Sequence, residues 1–363
     1  MKAVGVIVEY NPFHNGHIYH LNKARELTNA DVVIAVMSGN YCQRGDLSVT
    51  NKFEKTRVAL ENGVDLIVEL PVAYTLQNAY VFGKKAVEIL EALKCSDLIF
   101  GSETGNLQEL GKYAELSIDV TRLKELMHDG SSYPKAYGLL AGALYPNDIL
   151  AVSYLKALKG KKMKAHCIKR TNDYHGLELA AISSASAIRK AILENKDYQK
   201  ATPMVISEPV FNKDLYPYLQ RILLTRSRDE LKEVFLVDEG IEKVLKDNAY
   251  RYNDYEAFIN ASISRRYTRS RIQRIIIHIM LDDKKEDIQK LGDETFARIL
   301  GFGKKGREYL SHIKKDEVPI ITQFKNIPAG YKDMEWKASL LYSTLLNDKD
   351  AYLKQELKGP III

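Results

Sequence analysis

Val4-Gly5-Val6-Ile7-Val8-Glu9-Tyr10-Asn11-Pro12-Phe13-His14-Asn15-Gly16-His17-Ile18 begins as an apolar, β-branched run, passes through a turn rich in Asn, Pro and Gly, and ends in the start of a helical pattern. A strand feeding straight into a helix is half of a βαβ unit. Outward from it, the runs at 32–36, 64–68 and 97–100 repeat the strand texture, a fifth strand is expected near 165–169, and helix-like segments lie at 17–28, 52–62, 82–94 and 184–195. Continuous apolar runs alternating with helices predict strands buried on both faces of a mostly parallel sheet, so the fold class is α/β. Breaks at 130–134 and 145–148 mark an insertion ahead of the fifth strand.

Beyond Pro203 and Pro209 the texture changes to Leu, Lys, Glu, Arg and Tyr at helical spacing. The chain has 363 residues, more than one core of ordinary size takes. An α/β domain over 1–200 and an α-rich domain over 201–363 are therefore expected, with 359–363 either adding an edge strand or simply packing. The composition, 45% hydrophobic and 28% charged, excludes disordered and fibrous classes. Apolar stretches such as 32–37 and 275–277 fall far short of the roughly 20 residues that span a bilayer. Glu9 interrupts the N-terminal run too early for a signal peptide. No membrane segment and a cytoplasmic location are expected. Cys42, Cys95 and Cys167 are odd in number and far apart, which predicts reduced thiols rather than a disulfide framework or a zinc pair. The net charge of +6 is spread thinly, but residues 151–200 hold 11 basic against 4 acidic side chains, and 261–280 hold five arginines and no acid. Such patches suit a polyanion.

His14 and His17 stand three apart at the junction of the first strand and first helix. Unpaired N–H groups and the helix dipole make such a junction an anion site. Gly16 lets the backbone approach a ligand closely, and two imidazoles can donate to oxygens on a phosphorus under attack. One histidine capping the helix and the other packing would leave the same residues. Far downstream, Ile182-Ser183-Ser184-Ala185-Ser186-Ala187-Ile188-Arg189 sets hydroxyls at a helix start with an arginine one turn in, which is a second phosphate cradle or a plain capped helix. Arg265, Arg266, Arg269, Arg271 and Arg274 fall at helical spacing on a segment whose Ile272, Ile275, Ile276 and Ile279 form an apolar face. With Tyr250, Tyr252, Tyr255 and Tyr267 nearby for stacking, this segment is read as an RNA-binding surface, unless acids elsewhere in the chain claim the arginines.

Taken together and in order, His14-Asn15-Gly16-His17 and the serine–arginine segment resemble the HxGH and Ser-Ser-Thr-x-x-Arg signatures of the HxGH nucleotidyltransferase superfamily, with Ser186 where the threonine is expected. Met37-Ser38-Gly39-Asn40-Tyr41-Cys42-Gln43-Arg44-Gly45, Phe100-Gly101-Ser102-Glu103, Pro146-Asn147-Asp148-Ile149-Leu150 and Ile168-Lys169-Arg170 narrow the resemblance to the bacterial tRNA(Met) cytidine acetate ligases. The arginine segment and Leu300-Gly301-Phe302-Gly303-Lys304-Lys305-Gly306 extend it over nearly the whole chain. The resemblance implies a Rossmann-like catalytic domain and a helical tRNA-binding domain. It implies that ATP and acetate give acetyl-adenylate and pyrophosphate, and that the acetyl group passes to N4 of the wobble cytidine of elongator tRNA(Met). His14 and His17 would be catalytic, with Mg²⁺ on the phosphates. The implied ATP site comprises Ile7, Val8, Glu9, Tyr10, Asn11, Pro12, Phe13, His14, Asn15, Gly16, His17, Ile18, Tyr19 and His20, together with Gly101, Asn147, Arg170, Ser184, Ser186 and Arg189. Arg265, Arg266, Arg269, Arg271 and Arg274 would meet the tRNA.

Acetate is already an anion, so its activation needs positioning and charge stabilisation more than a base. Glu9, Glu69 and Glu103, near strand ends, are the candidates for an acid or base in the acetyl transfer. Two other readings fit the residues: an HxGH adenylyltransferase with a small phosphorylated acceptor, and an RNA-binding protein with a silent nucleotide site. The first leaves the basic C-terminal region without a role, and the second leaves both histidines without one.

Overall fold

β1 (Ala3–Val8), β2 (Val32–Ser38), β3 (Leu66–Leu70), β4 (Asp97–Ser102) and β5 (Lys164–Lys169) pair in parallel, in the order β5-β4-β1-β2-β3. This computed structural model describes residues 1–116, 144–170, 183–313 and 319–363, with the isolated positions 121, 122, 125, 129 and 142; the expected break at 130–134 and Ile182 lie outside the described residues. β1 to β4 are buried almost throughout, because helices cover both faces of the sheet. On one face Val4, Val6, Val33 and Ile67 pack with Leu21 and Ala24 of helix Asn15–Thr28 and Phe53 of helix Lys52–Glu61. On the other, Ile34, Val68 and Leu98 meet Phe82 and Leu90 of helix Ala79–Ala92 and Ala151 of helix Pro146–Leu158. Each such side chain contributes about 1.5–3 kcal/mol on burial.

The chain lays down β1, β2 and β3 toward one side, then crosses back to the other side of β1 for β4 and β5. That reversal opens a crevice beyond the carboxyl ends of β1 and β4, where open α/β sheets bind ligands.

The stretch expected to form an α-rich unit over 201–363 divides. Helices Tyr216–Thr225, Ile241–Arg251, Tyr255–Ser262 and Arg269–Leu281 gather around their own core of Leu219, Leu245, Phe258, Ile272, Ile275, Ile276 and Ile279. Past it, β6 (Ala297–Phe302) joins the main sheet antiparallel to β3, and β7 (Ile320–Ile321) and β8 (Ile361–Ile362) pair in parallel with β6. β6 is buried on both faces, which suits a strand inside a sheet and not a surface helix. The tail at 359–363 therefore supplies an edge strand. Tyr331, Met334 and Ala338 of helix Ala329–Ser343, and Tyr352 of helix Lys349–Lys358, complete the first core. Helix Arg269–Leu281 is shared, since its Ile277 and Leu281 reach that first core. Among the described residues, no helix is long and apolar enough to cross a membrane.

Candidate active site

After β1 the chain turns through Tyr10, at a left-handed φ of 49°, and a cis Asn11–Pro12 bond before helix Asn15–Thr28 starts. A left-handed non-glycine residue costs about 1–2 kcal/mol, and the surroundings hold the turn in place. Val49 N–H donates to Asn11 Oδ1 (2.7 Å), Asn11 Nδ2 to the Leu47 carbonyl (3.2 Å), and Arg189 Nη1 to the Asn11 carbonyl (2.6 Å). The Tyr10 and Phe13 rings meet edge to face at 4.8 Å.

His14 is the N-cap of the helix. Its Nδ1 accepts from Gly16 N–H (3.0 Å), while its own N–H donates to His17 Nδ1 (3.1 Å), a capping box made of two imidazoles. Because both Nδ1 atoms accept, each neutral ring carries its proton on Nε2. The rings stack with centroids 3.7 Å apart, an arrangement that two imidazolium cations would oppose. Burial, then the cations of Arg170 and Arg189, lowers His14 to about 4. Burial, then His14, His20 and Arg170, holds His17 well below the ordinary imidazole value, and burial with Arg170 brings His20 to about 4. The turn is thus both a helix cap and a set of uncharged N–H donors near two guanidinium groups.

A cleft of about 300 Å³ opens over these rings at the strand reversal. Ile7, Val8, Glu9, Tyr10, Asn11, His14, Gly16, His17, Tyr19 and His20 of the expected loop line it, and so do Gly101, Asn147, Arg170, Ser184, Ser186 and Arg189. Pro12, Phe13, Asn15 and Ile18 are outside its wall. Phe13 is in the core with Ile18 packed on that core, Pro12 is buried, and Asn15 Nδ2 donates to the Lys200 carbonyl (2.9 Å). Ser184 caps helix Ala185–Leu193 by accepting from Ala187 N–H (3.2 Å), and Arg189 ties that helix to the histidine turn.

Sequence reasoning left out Gln43, Arg44 and Asp46 on the loop after β2, the apolar wall of Phe82, Phe100 and Tyr154, and Lys169. The loop lies at the carboxyl end of the strand beside β1, and that position is the signal that would have marked it. Of the three carboxylates considered for acid–base work, Glu9 alone lines the cleft, its Oε1 accepting from Gln43 N–H (2.7 Å). Glu103 accepts from the N–H groups of Asn147 (3.1 Å) and Asp148 (3.2 Å), and Glu69 is buried between Lys52 and Arg298. Those two have structural work and stand apart from the cleft. Among the described residues no three His, Cys, Asp or Glu gather to hold a metal, and the three cysteines are free thiols.

The arginine helix begins later than its spacing suggested. Thr268 caps it, accepting from Arg271 N–H (3.4 Å), which leaves Arg265 and Arg266 in the preceding turn. Acids from outside the segment meet it: Arg269 Nη2 bonds both oxygens of Glu256 (2.7 and 2.8 Å), and Arg266 and Arg271 lie 3.7 and 3.9 Å from Glu239. Arg265 is exposed, and Arg274 turns inward to donate to the Gln43 carbonyl (3.2 Å). Tyr250 is 81% exposed, but Tyr255 and Tyr267 belong to the helical core and have no face free for stacking on RNA.

The family model described as HIGH Nucleotidyl Transferase matches residues 1–357. The tRNA(Met) cytidine acetate ligase of Geobacillus sp. (strain WCH70) is 34% identical over the full length of both chains. That of Bacillus subtilis (strain 168) is 36% identical over 94% of this chain and 92% of the relative. The crystal structure of apo Thermotoga maritima TmcAL superposes with a TM-score of 0.90 at 31% identity, covering 100% of both chains. A second TmcAL structure, bound with alpha-thio ATP, gives 0.88 at 31% identity over 100% of this chain and 99% of that one.

Proposed function

The chain belongs to the HIGH nucleotidyl transferase family and stands with its tRNA(Met) cytidine acetate ligases, and we propose that it activates acetate with ATP and acetylates N4 of the wobble cytidine of elongator tRNA(Met). The observation that carries the first step is the pair of neutral Nε2–H imidazoles at a strand-to-helix junction, lining one cleft with Arg170 and Arg189. An acetate oxygen attacks the α-phosphorus of ATP, the bond to pyrophosphate breaks, and acetyl-adenylate remains. Negative charge builds on the non-bridging oxygens, and donors already fixed in a buried site stabilise it without reorganisation. Cytidine N4 then attacks the acetyl carbonyl, AMP leaves, and N4 gives up a proton. Phe82, Phe100 and Tyr154, all core residues, give the cleft an apolar floor. Mg²⁺ would enter on the triphosphate and neutralise part of its charge, which fits a cleft that gathers no three metal ligands among the described residues.

A catalytic unit over 1–200 with the strands from 297 onward completing its sheet leaves the helical cluster from Tyr216 to Leu281 for tRNA. Arg265, Arg266, Arg269 and Arg271 serve it, because exposed pairs such as Arg269–Glu256 hold only about 0–1 kcal/mol and yield to phosphates. Replacing Arg269 and Arg271 together by alanine should weaken tRNA binding and cut the slope of log K against log salt by roughly 1.5–2. An unchanged slope would place the RNA elsewhere.

Titration gives a further expectation. The histidines are held below the unfolded value of about 6.5, so the unfolded chain binds more protons and stability is lost as pH falls from about 6.5 toward about 4. A proton that charged either ring would have to go on Nδ1, which already accepts a backbone N–H, so the rings stay neutral Nε2–H donors toward a bound triphosphate. Denaturant unfolding from pH ~7 down to ~4.5 should show the falling midpoint, and a flat profile would separate the rings from the stability balance.

The deciding assay incubates the protein with ATP, Mg²⁺, labelled acetate and bulk tRNA, with a tRNA-free arm analysed for acetyl-adenylate. Label in N4-acetylcytidine is the expected result. Acetyl-adenylate without labelled tRNA would keep the activation step and reopen the acceptor, and neither product would end the ligase reading.

A further inference from the structure

Arg265 is exposed, and Arg266, Arg269 and Arg271 are paired with Glu239 and Glu256; Arg274 is placed differently. Its Nε is buried without a hydrogen-bond partner, and Nη1 donates to the Gln43 carbonyl (3.2 Å). Burial, then Arg271, lowers it to about 10, a cost that a side chain waiting in water for a phosphate would not bear.

Gln43 is the residue through which the helical cluster reaches the cleft. Its carbonyl accepts from Arg274, its N–H donates to Glu9 Oε1 (2.7 Å), and its Nε2 donates to the Gln77 carbonyl (2.7 Å). The two backbone groups of one residue thus connect the arginine helix to a carboxylate in the cleft wall. The seam around them is close-fitting. Gln273 Nε2 bonds Asp46 Oδ1 (2.8 Å), and Gly45, at φ +81°, sits so near the helix that a Cβ there would come within 2.4 Å of the Arg274 backbone nitrogen.

We propose that Arg274 is a positioning residue for the nucleotide cleft and not a tRNA contact: by holding the Gln43–Arg44 peptide through its carbonyl it fixes the backbone of Gln43, whose own N–H holds Glu9 in place. The proposal rests on the reading of this cleft as the ATP site. It assigns the arginine helix two faces of action, an outer one toward RNA and an inner one toward the nucleotide, and it makes the loop after β2 the link between them.

The test measures ATP affinity without tRNA or acetate, and tRNA affinity across a salt series, for the full chain and three variants. Arg274→Met keeps the buried stem and removes the donor, so ATP should bind about tenfold more weakly, the size of one lost charge-assisted hydrogen bond. Arg274→Lys restores a donor and should recover most of the loss, which a role in packing alone would not predict. Gly45→Ala forces the loop off the helix with Arg274 intact and should weaken ATP in the same direction, which keeps the test open if Arg274→Met folds poorly. The tRNA salt slope should stay at the wild-type value in Arg274→Met. Unchanged ATP affinity in both Arg274→Met and Gly45→Ala overturns the proposal, and so does a tRNA slope lowered by about one, since that makes Arg274 a phosphate contact. Wild-type protein that binds ATP but yields no N4-acetylcytidine would defeat the ligase reading and leave this result standing, whereas wild-type protein that binds no ATP overturns both.

Discussion

His17→Ala should lower acetyl-adenylate formation by about 10²–10³, with tRNA affinity and overall fold near those of the wild type. The size follows from what the ring does. His17 packs against Tyr10 and His14, with ring centroids 4.7 and 3.7 Å away, and its Nδ1 is committed to the His14 N–H. Only its Nε2–H remains for chemistry, and a preorganised donor of that kind acts chiefly when charge develops at phosphorus. The structural cost is smaller, about 1–2 kcal/mol for one capping hydrogen bond and some packing. Denaturant unfolding separates the two effects: a large loss of adenylate with a small change in unfolding midpoint is expected. A variant that forms adenylate at the wild-type rate would remove His17 from the reaction. His14→Ala removes the N-cap acceptor itself and should add a stability loss at the upper end of that range, so His17 is the cleaner probe.

The parts of the fold legible in the sequence are those where one local pattern suffices. β1 to β4 read as strands because a parallel sheet covered on both faces needs uninterrupted apolar runs. β6 carries a similar run, but its partner β3 precedes it by more than two hundred residues and the flanking sequence is charged and helical, so nothing nearby announces a sheet. The histidine turn was legible since strand, glycine and helix are contiguous there. Gln43 and Asp46 carry no such local pattern, and only their place on the loop at the carboxyl end of β2, beside β1, marks them. The arginine segment shows the same limit from the other side. A window at 261–280 holds no acid, yet Glu239 and Glu256 fold back onto it, and charge counted along the chain misses charge met in space.

Where that distant strand enters the sheet, a second large effect is expected: Glu69→Ala should cost about 3–5 kcal/mol of stability, a large share of the roughly 5–15 kcal/mol of a typical domain. Glu69 on β3 lies 2.7 Å from Lys52 and 2.5 Å from Arg298 of β6, and Glu356 lies 2.9 Å from each of the same two cations. All four are buried. Removing Glu69 leaves two buried cations sharing one carboxylate. The cost should nevertheless fall with rising pH, and Glu335 is the reason. Burial, then the Glu69 carboxylate, pushes Glu335 up to about 8, so its folded value exceeds the unfolded one. The stability that its proton confers is fully present below about 4.5 and is lost as pH rises through about 8. Without Glu69 the neighbouring Lys52 and Arg298 favour the ionised form of Glu335, which then supplies a replacement charge and no longer loses stability over that range. The gap between wild type and Glu69→Ala in chemical denaturation should therefore narrow between about pH 4.5 and 8, and adding Glu335→Gln to Glu69→Ala should restore a wide gap at the higher pH. A gap that is constant with pH would separate Glu335 from the network and leave the two cations to be balanced by Glu356 alone.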